Sequence, residues 1–206
     1  IPKMPNITVT TIPMEAIKAR YYNHYKKYDK ALEHLEKSVE ANPYLRYSEI
    51  LMSQIYIQKG DLQKAKKYAK IAFENLPSND LHASSYINLL IQTIDNEGLS
   101  EAFDLLTKDD SKPKWQNYLI AASQLFPPGD SLQVARAKQA RDLFSGDSNI
   151  NQIHKLISLG SKRIEEGLAN SNQALTFFNQ GNHTEAVKAF EKAIAADPLE
   201  YSYREN

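Results

Sequence analysis

Apolar and small side chains recur every three to four positions along most of this chain, which is the spacing of a helix with one buried face. The pattern predicts one pair of helices in residues 13–43 and a second pair in residues 44–77, each pair ending at a proline. In the first pair the helices cover Ala16–Tyr25 and Ala31–Val39, and in the second pair the turn falls at Gly60. These elements predict an all-α protein.

An alanine and a proline stand at one fixed separation three times along the chain. The pairs are Ala31 and Pro43, Ala65 and Pro77, and Ala186 and Pro198. The first two pairs are 34 residues apart, from position 31 to position 65. A period of about 34 residues is typical of a helix-turn-helix unit that buries its apolar face against the next copy. The period therefore predicts a helical solenoid.

The middle of the chain, residues 78–147, predicts degenerate helical hairpins. A third hairpin covers residues 80–107 and has a break at Gly98, and a fourth covers residues 115–144 around a turn at 127–130. A polar connector at 109–114 separates these two hairpins.

The two ends of the chain predict different elements. Residues 148–198 predict a long helix, interrupted at Gly160 or Gly167, that leads into a final repeat. Residues 199–206 predict the start of a further helix, and residues 1–12 predict an extended N-terminal tether. Because the chain opens on Ile1, we expect it to be a fragment or a processed product.

These repeats resemble the tetratricopeptide repeat family at named positions. The matching residues are Ala19, Tyr22, Tyr28, Ala31, Leu35 and Pro43 in the first unit, Ser53, Tyr56, Gly60, Ala65, Ala69, Ala72 and Pro77 in the second, and Ala174, Phe177, Gly181, Ala186, Phe190, Ala193 and Pro198 in the last. The family's first-helix tryptophan is absent, and Ser38 replaces an expected alanine. The resemblance implies a right-handed superhelix that serves as a protein–protein interaction scaffold and is not an enzyme.

The resemblance also implies a peptide- or partner-binding concave face formed by the first helices. By register with the family, its candidates are Arg20, Asn23, His24, Tyr47, Ile50, Gln54, Ile57, Gln58, Asn88 and Gln92. The chaperone-binding members use lysine and asparagine to hold a terminal carboxylate, whereas this chain has Arg20 and Gln54 at the matching positions. The clamp is incomplete, so binding of chaperone C-termini is not expected. Self-association through the groove stays open.

Composition excludes several other classes of function. The 25 basic and 25 acidic residues cancel, and a pI of about 7.2 disfavours nucleic acid as a partner. Without cysteine, the chain has no thiol nucleophile and no Cys-based zinc site. Its five histidines form no helical zinc motif, and no phosphate-binding or serine-hydrolase motif occurs. We therefore predict no metal, no cofactor and no catalytic residue.

A second context is carried by the segments Ile12–Tyr22 and Ala41–Glu49. They resemble the soluble tails of bacterial O-antigen ligase or polymerase-like membrane proteins. This resemblance implies a soluble extramembrane tail of a larger protein in cell-envelope glycan assembly, with no membrane insertion in the segment itself. The compartment stays open between the extracytoplasmic side of a bacterial membrane and the cytoplasm.

Overall fold

A computed structural model describes residues 11–204 of the chain, and these residues form an all-α structure of ten α-helices and one 3-10 helix. The chain divides into two compact units, unit 1 (Ile1–Asn117) and unit 2 (Tyr118–Asn206). The tether predicted for residues 1–12 falls outside the described part of the chain, except for its last two residues.

Unit 1 consists of helices that follow one another as pairs, and each pair packs on the next along the chain. Its helices are α1 (Met14–His24), α2 (Tyr28–Ala41), α3 (Tyr47–Gln58), α4 (Leu62–Asn75), α5 (Asp80–Gln92) and α6 (Asn96–Asp104), followed by α7 (Lys112–Leu125), which continues into unit 2. The two helix pairs predicted for residues 13–77 are present. The predicted turn between α3 and α4 lies at Gly60, which has a φ of 78°.

Alanines hold these helices close together. Ala16, Ala31, Ala65, Ala69 and Ala72 are each 0% exposed, so the helices meet where the side chains are smallest. Small side chains at a contact shorten the distance between two helix axes. The alanine spacing read from the sequence therefore marks the positions where the helices pack.

Asparagine or aspartate side chains cap the start of several helices. The Asp61 carboxylate accepts a hydrogen bond from the Lys64 backbone N–H at 3.0 Å, and Asp95 accepts one from Gly98 at 2.8 Å. Asp130 and Asp147 cap the starts of two later helices in the same way. Each cap satisfies a backbone donor that has no partner within the helix, which fixes where the helix begins.

The third hairpin of unit 1 turns at a different place from the one predicted. Gly98 lies inside α6, and the turn between α5 and α6 is formed by 93–95, where Ile94 has a φ of 52°. A Cβ at Gly98 would stand 2.6 Å from Leu90 Cδ2. The glycine therefore permits close packing of α6 on α5, and the predicted break at Gly98 was wrong.

The predicted polar connector at 109–114 contains a buried ion pair. Lys114 is 2% exposed, and its ammonium donates hydrogen bonds to the Asp110 carboxylate and to the Pro77 carbonyl oxygen. Asp110 also accepts hydrogen bonds from the backbone N–H and the hydroxyl of Thr107. Burial opposes ionisation of Asp110, but these donors outweigh it and lower its pKa.

Unit 2 contains the remainder of α7, then α8 (Ser131–Leu143), α9 (Ser148–Asn179), α10 (His183–Ala196) and the 3-10 helix Tyr201–Arg204. The helix α9 is broken at Gly160, where φ is 77° and ψ is 160°. The Gly129 N–H donates to the Ile157 carbonyl oxygen at 2.8 Å, close to this break. The turn between α7 and α8 thus satisfies a carbonyl group next to the break.

The end of unit 2 is held by a buried carboxylate. Asp197 is 0% exposed and lies 2.8 Å from the Lys155 ammonium, which also pairs with Glu200 at 2.6 Å. Burial opposes the charge on Lys155, but the hydrogen bonds that its ammonium donates to the two carboxylates outweigh this effect and raise its pKa. Because Lys155 belongs to α9 and Asp197 follows α10, the ion pair fixes the end of α10 against α9.

Candidate functional site

The exposed polar side chains of α1, α3 and α5 form rows at the repeat period, which we call the first-helix surface. One row consists of Arg20, Gln54 and Asn88, and each member stands 34 positions after the one before it. A second row consists of His24, Gln58 and Gln92 at the same spacing. All six side chains are exposed, and all six are among the residues predicted from the sequence.

Within residues 11–204, the polar groups of Arg20, Gln54, Gln58, Asn88 and Gln92 make no side-chain hydrogen bond or ion pair with the protein. A side-chain amide has two donors and an accepting oxygen, which are the groups that pair with a peptide backbone. A guanidinium pairs with carboxylates through two parallel hydrogen bonds. The first-helix surface therefore offers neutral amides on α3 and α5 and a cation on α1.

The other predicted site residues are placed differently. Ile50 is 2% exposed and belongs to the core, so it supports the surface from beneath. Tyr47 is half-buried against the core cluster around Ala31 and Leu35. Asn23 is half-buried as well, and its Oδ1 has no hydrogen-bond partner among the described residues. Ile57 is 41% exposed and is an apolar contact available beside the amide rows.

A hydrogen-bonded contact joins α1 to α2 next to the first row. Glu15 lies 2.5 Å from Lys18 Nζ and 2.5 Å from His34 Nδ1, and the His34 ring stacks on Tyr22 with 5.1 Å between ring centroids. The hydrogen bonds from Lys18 and then His34 lower the pKa of Glu15. Glu15 and Tyr22 of α1 therefore both contact His34 of α2.

A buried polar cluster between α3, α4 and α5 was not found from the sequence. Glu49 is 3% exposed and pairs with Arg46 at 2.8 Å, and Arg46 also donates to Asn75 at 2.8 Å. His82 is 3% exposed, and burial lowers its pKa despite a hydrogen bond to the backbone of Ala72. Periodicity cannot reveal such a cluster because its members come from three separate helices.

Residues 11–204 contain no group of three or more His, Cys, Asp or Glu side chains that could hold a metal ion. Of the helices in these residues, none has the length and hydropathy needed to cross a bilayer.

The family models for the tetratricopeptide repeat match two segments, residues 50–74 and residues 167–199. The first segment covers most of α3 and α4, and the second covers the end of α9 and all of α10. These two segments of the chain are tetratricopeptide repeats. Proteins built from this repeat serve as interaction scaffolds, and both matched models describe the repeat itself, with no catalytic domain among them.

Comparisons with curated sequences and with solved structures add less about this chain than the family models do. No curated protein sequence matches this chain. One solved structure that matches is described as the crystal structure of YrrB, a TPR protein with an unusual peptide-binding site. That match has 14% sequence identity and a TM-score of 0.41, and it covers 93% of this chain and 89% of YrrB. A TM-score this low says nothing about where this chain binds a ligand.

Proposed function

We propose that this chain is a scaffold that binds an extended peptide of a partner protein across the first-helix surface of unit 1. The observation that carries the proposal is the row of Arg20, Gln54 and Asn88, which are exposed and spaced by one repeat. Amides at repeat spacing pair with successive parts of an extended backbone, and this pairing is independent of the peptide's sequence.

The cation on α1 supplies the selectivity in this proposal. Arg20 has no carboxylate partner among the described residues, so its charge is available to an acidic residue or a terminal carboxylate of the peptide. Ile57 is the exposed apolar anchor next to the amide rows. A peptide with one acidic group and one apolar side chain fits this arrangement best.

The experiment selects 12-residue peptides from a displayed random library on the intact chain and measures the affinity of one selected peptide by calorimetry. Replacing Gln54→Ala together with Asn88→Ala should weaken binding by about tenfold or more, since two hydrogen-bonding groups are lost from the interface. Replacing Arg20→Gln should remove the preference for an acidic residue in a repeated selection.

A matched control removes two exposed amides outside the first-helix surface, Gln63→Ala on α4 and Gln139→Ala on α8. The control should leave affinity unchanged, and all variants should keep the melting temperature of the parent. If the Gln54 and Asn88 variant binds as tightly as the parent, the peptide lies elsewhere and the proposal is wrong.

The alternative context, a soluble tail of a bacterial membrane protein in cell-envelope glycan assembly, stays a prediction from sequence resemblance. It is compatible with the same binding surface. Fractionation of cells that make the full-length protein, with protease added to intact cells and to spheroplasts, distinguishes an extracytoplasmic tail from a cytoplasmic scaffold.

A further inference from the structure

One face of α1 is apolar and exposed. It carries Met14, Ile17 and Tyr21 and continues to Tyr25, the residue that follows α1, at spacings of three, four and four positions. We call these four residues the α1 stripe. Their exposed fractions are 42%, 39%, 61% and 56%. The Tyr21 and Tyr25 rings contact each other with 4.9 Å between centroids, so they form one continuous patch. The first-helix surface described above is a separate set of α1 residues.

Two of these four repeat positions, those of Met14 and Tyr21, are buried in the two repeats that follow. The position of Ile17 is half-buried there, and the position of Tyr25 is exposed in the second repeat and half-buried in the third. Ser48 and Ile55 of α3 correspond to Met14 and Tyr21, and they are 2% and 1% exposed. Ser48 donates a hydrogen bond to Ser38 of α2 at 2.7 Å, and Ile55 packs in the cluster that contains Leu35 of α2. The second helix of the preceding repeat is therefore what covers this face of α3.

The third repeat shows the same arrangement. His82 and Leu89 of α5 occupy the corresponding positions and are 3% and 1% exposed. Here α4 provides the cover: His82 bonds to the Ala72 backbone, and the Phe73 and Tyr86 rings stack 5.3 Å apart. In both repeats, an amphipathic helix covers this face.

The charges on and next to α1 indicate which charge a helix that packs on the α1 stripe should carry. Arg20, Lys26 and Lys27 are exposed and make no ion pair within residues 11–204. The one acidic residue between positions 14 and 27, Glu15, is already held by Lys18 and His34. A second α1 stripe would bring the same cations face to face, which disfavours a symmetric pairing of two α1 helices. An acidic helix has the complementary charge.

We propose that the α1 stripe is a docking site for an acidic amphipathic helix of a partner protein. The chain itself contains a suitable probe, because α2 covers the equivalent face of α3 and carries four acidic residues against two lysines. It also contains the matched control, because α4 covers the equivalent face of α5 but carries four lysines against one glutamate.

The experiment titrates the intact chain with a helix-stapled peptide of sequence 28–41, and separately with one of sequence 62–75, at low and at physiological ionic strength. The α2 peptide should bind, and added salt should weaken its binding because exposed charges contribute. The affinity of the α4 peptide should be lower than that of the α2 peptide by about fivefold or more. Replacing Ile17→Ala with Tyr21→Ala should weaken the α2 peptide about tenfold or more, since its apolar contacts are lost.

The control variant Tyr44→Ala removes an 85% exposed tyrosine that lies outside α1, and it should bind the α2 peptide as the parent does. Circular dichroism should show the same helix content and melting temperature for every variant. The proposal is wrong if the α2 peptide does not bind, if the α4 peptide binds equally well, or if Tyr44→Ala has the effect of the α1 variant. It is also wrong if the chain alone sediments as an oligomer that the α1 variant dissociates, because a second copy is then the occupant.

Discussion

Gly60 in unit 1 and Gly160 in unit 2 have φ angles of 78° and 77°, yet they have opposite surroundings. A Cβ at Gly60 would meet nothing within 4 Å, whereas a Cβ at Gly160 would stand 2.8 Å from Pro128 Cγ. In unit 1 the glycine only turns the chain between two helices. In unit 2 the glycine also admits another segment of the chain. The turn at Gly60 is thus specified by the local repeat pattern, whereas the break at Gly160 depends in addition on a contact with a residue distant in sequence.

The largest expected effect comes from two buried ion pairs, Lys114–Asp110 in unit 1 and Lys155–Asp197 in unit 2. Replacing Asp110→Ala in unit 1 should lower the free energy of unfolding by about 3 kcal/mol, because it leaves the buried Lys114 charge with the neutral Pro77 carbonyl as its partner. Asp197→Ala in unit 2 should cost less, because Lys155 is less buried and keeps its ion pair with Glu200. Urea denaturation followed by circular dichroism measures both.

The variant Asp197→Asn serves as the control for this difference. It keeps the size of the side chain and an oxygen that accepts from the Leu199 N–H, and it removes the charge. A loss as large as that of Asp197→Ala would assign the effect to the ion pair. Equal losses for Asp197→Ala and Asp110→Ala would contradict the expected difference between the two ion pairs.

The two glycines give the next largest effect. Gly160→Ala should destabilise unit 2 by about 2–3 kcal/mol, because its φ and ψ are accessible almost only to glycine and the new Cβ would overlap Pro128. Gly60→Ala should cost about 1 kcal/mol, since only the left-handed backbone conformation is penalised. Thermal melts of the two variants check the order. Similar losses would show that the Pro128 contact has no energetic weight.

Much of unit 1 could be predicted because its determinants repeat at a fixed spacing. Ala31 and Ala65 mark both helix contacts and turns, so their period locates four helices and the exposed rows of the first-helix surface. The same period predicted Ile50 as a site residue. The structure buries it, since family register alone does not tell which side of α3 is covered by α2.

The remainder could not be predicted because it depends on pairs of residues far apart in the chain. The turn at Ile94 uses a β-branched residue with a positive φ, for which the sequence carries no signal, and Gly98 offered a misleading one. The Gly160 break was one of two alternatives. The helix is broken at Gly160, which lies against Pro128 in the turn between α7 and α8. Gly167 instead lies within regular helix and packs against Asp197.

Each unit also buries one histidine, and this sets an expected pH dependence. Burial lowers the pKa of His82 in unit 1, and burial followed by the charges of Arg141 and Lys138 lowers that of His154 in unit 2. A lowered pKa in the folded state means that the unfolded chain binds the proton first. Stability should therefore fall as the pH drops below about 6.5, by at most about 1.4 kcal/mol per pH unit for each histidine.

Urea denaturation between about pH 5 and pH 7 measures this slope above the range in which most carboxylates titrate. His82→Gln and His154→Gln should each reduce it, and the double variant should remove most of it. A slope that neither variant changes would assign the pH dependence to other groups.

The smallest effect is expected from ion pairs that are half-buried or exposed at the surface. Lys66 pairs with Asp95 at 2.7 Å and joins α4 to the α5–α6 turn in unit 1, whereas Lys188 pairs with Glu185 at 2.8 Å within α10 of unit 2. Lys66→Met should cost up to about 1 kcal/mol and Lys188→Met less than that, because exposed pairs are weak. Added salt should reduce both losses. An effect of Lys188→Met larger than that of Lys66→Met would reverse the expected order.

The most direct test of the scaffold proposal is a nuclear magnetic resonance titration of the isotope-labelled chain with the library-selected peptide, observing the side-chain NH₂ groups. The proposal predicts that the amide signals of Gln54, Asn88 and Gln92 shift first and furthest, while those of Gln63 and Gln139 stay in place. Shifts confined to α2, α4 and α6 or to unit 2, with the first-helix amides unchanged, would contradict it.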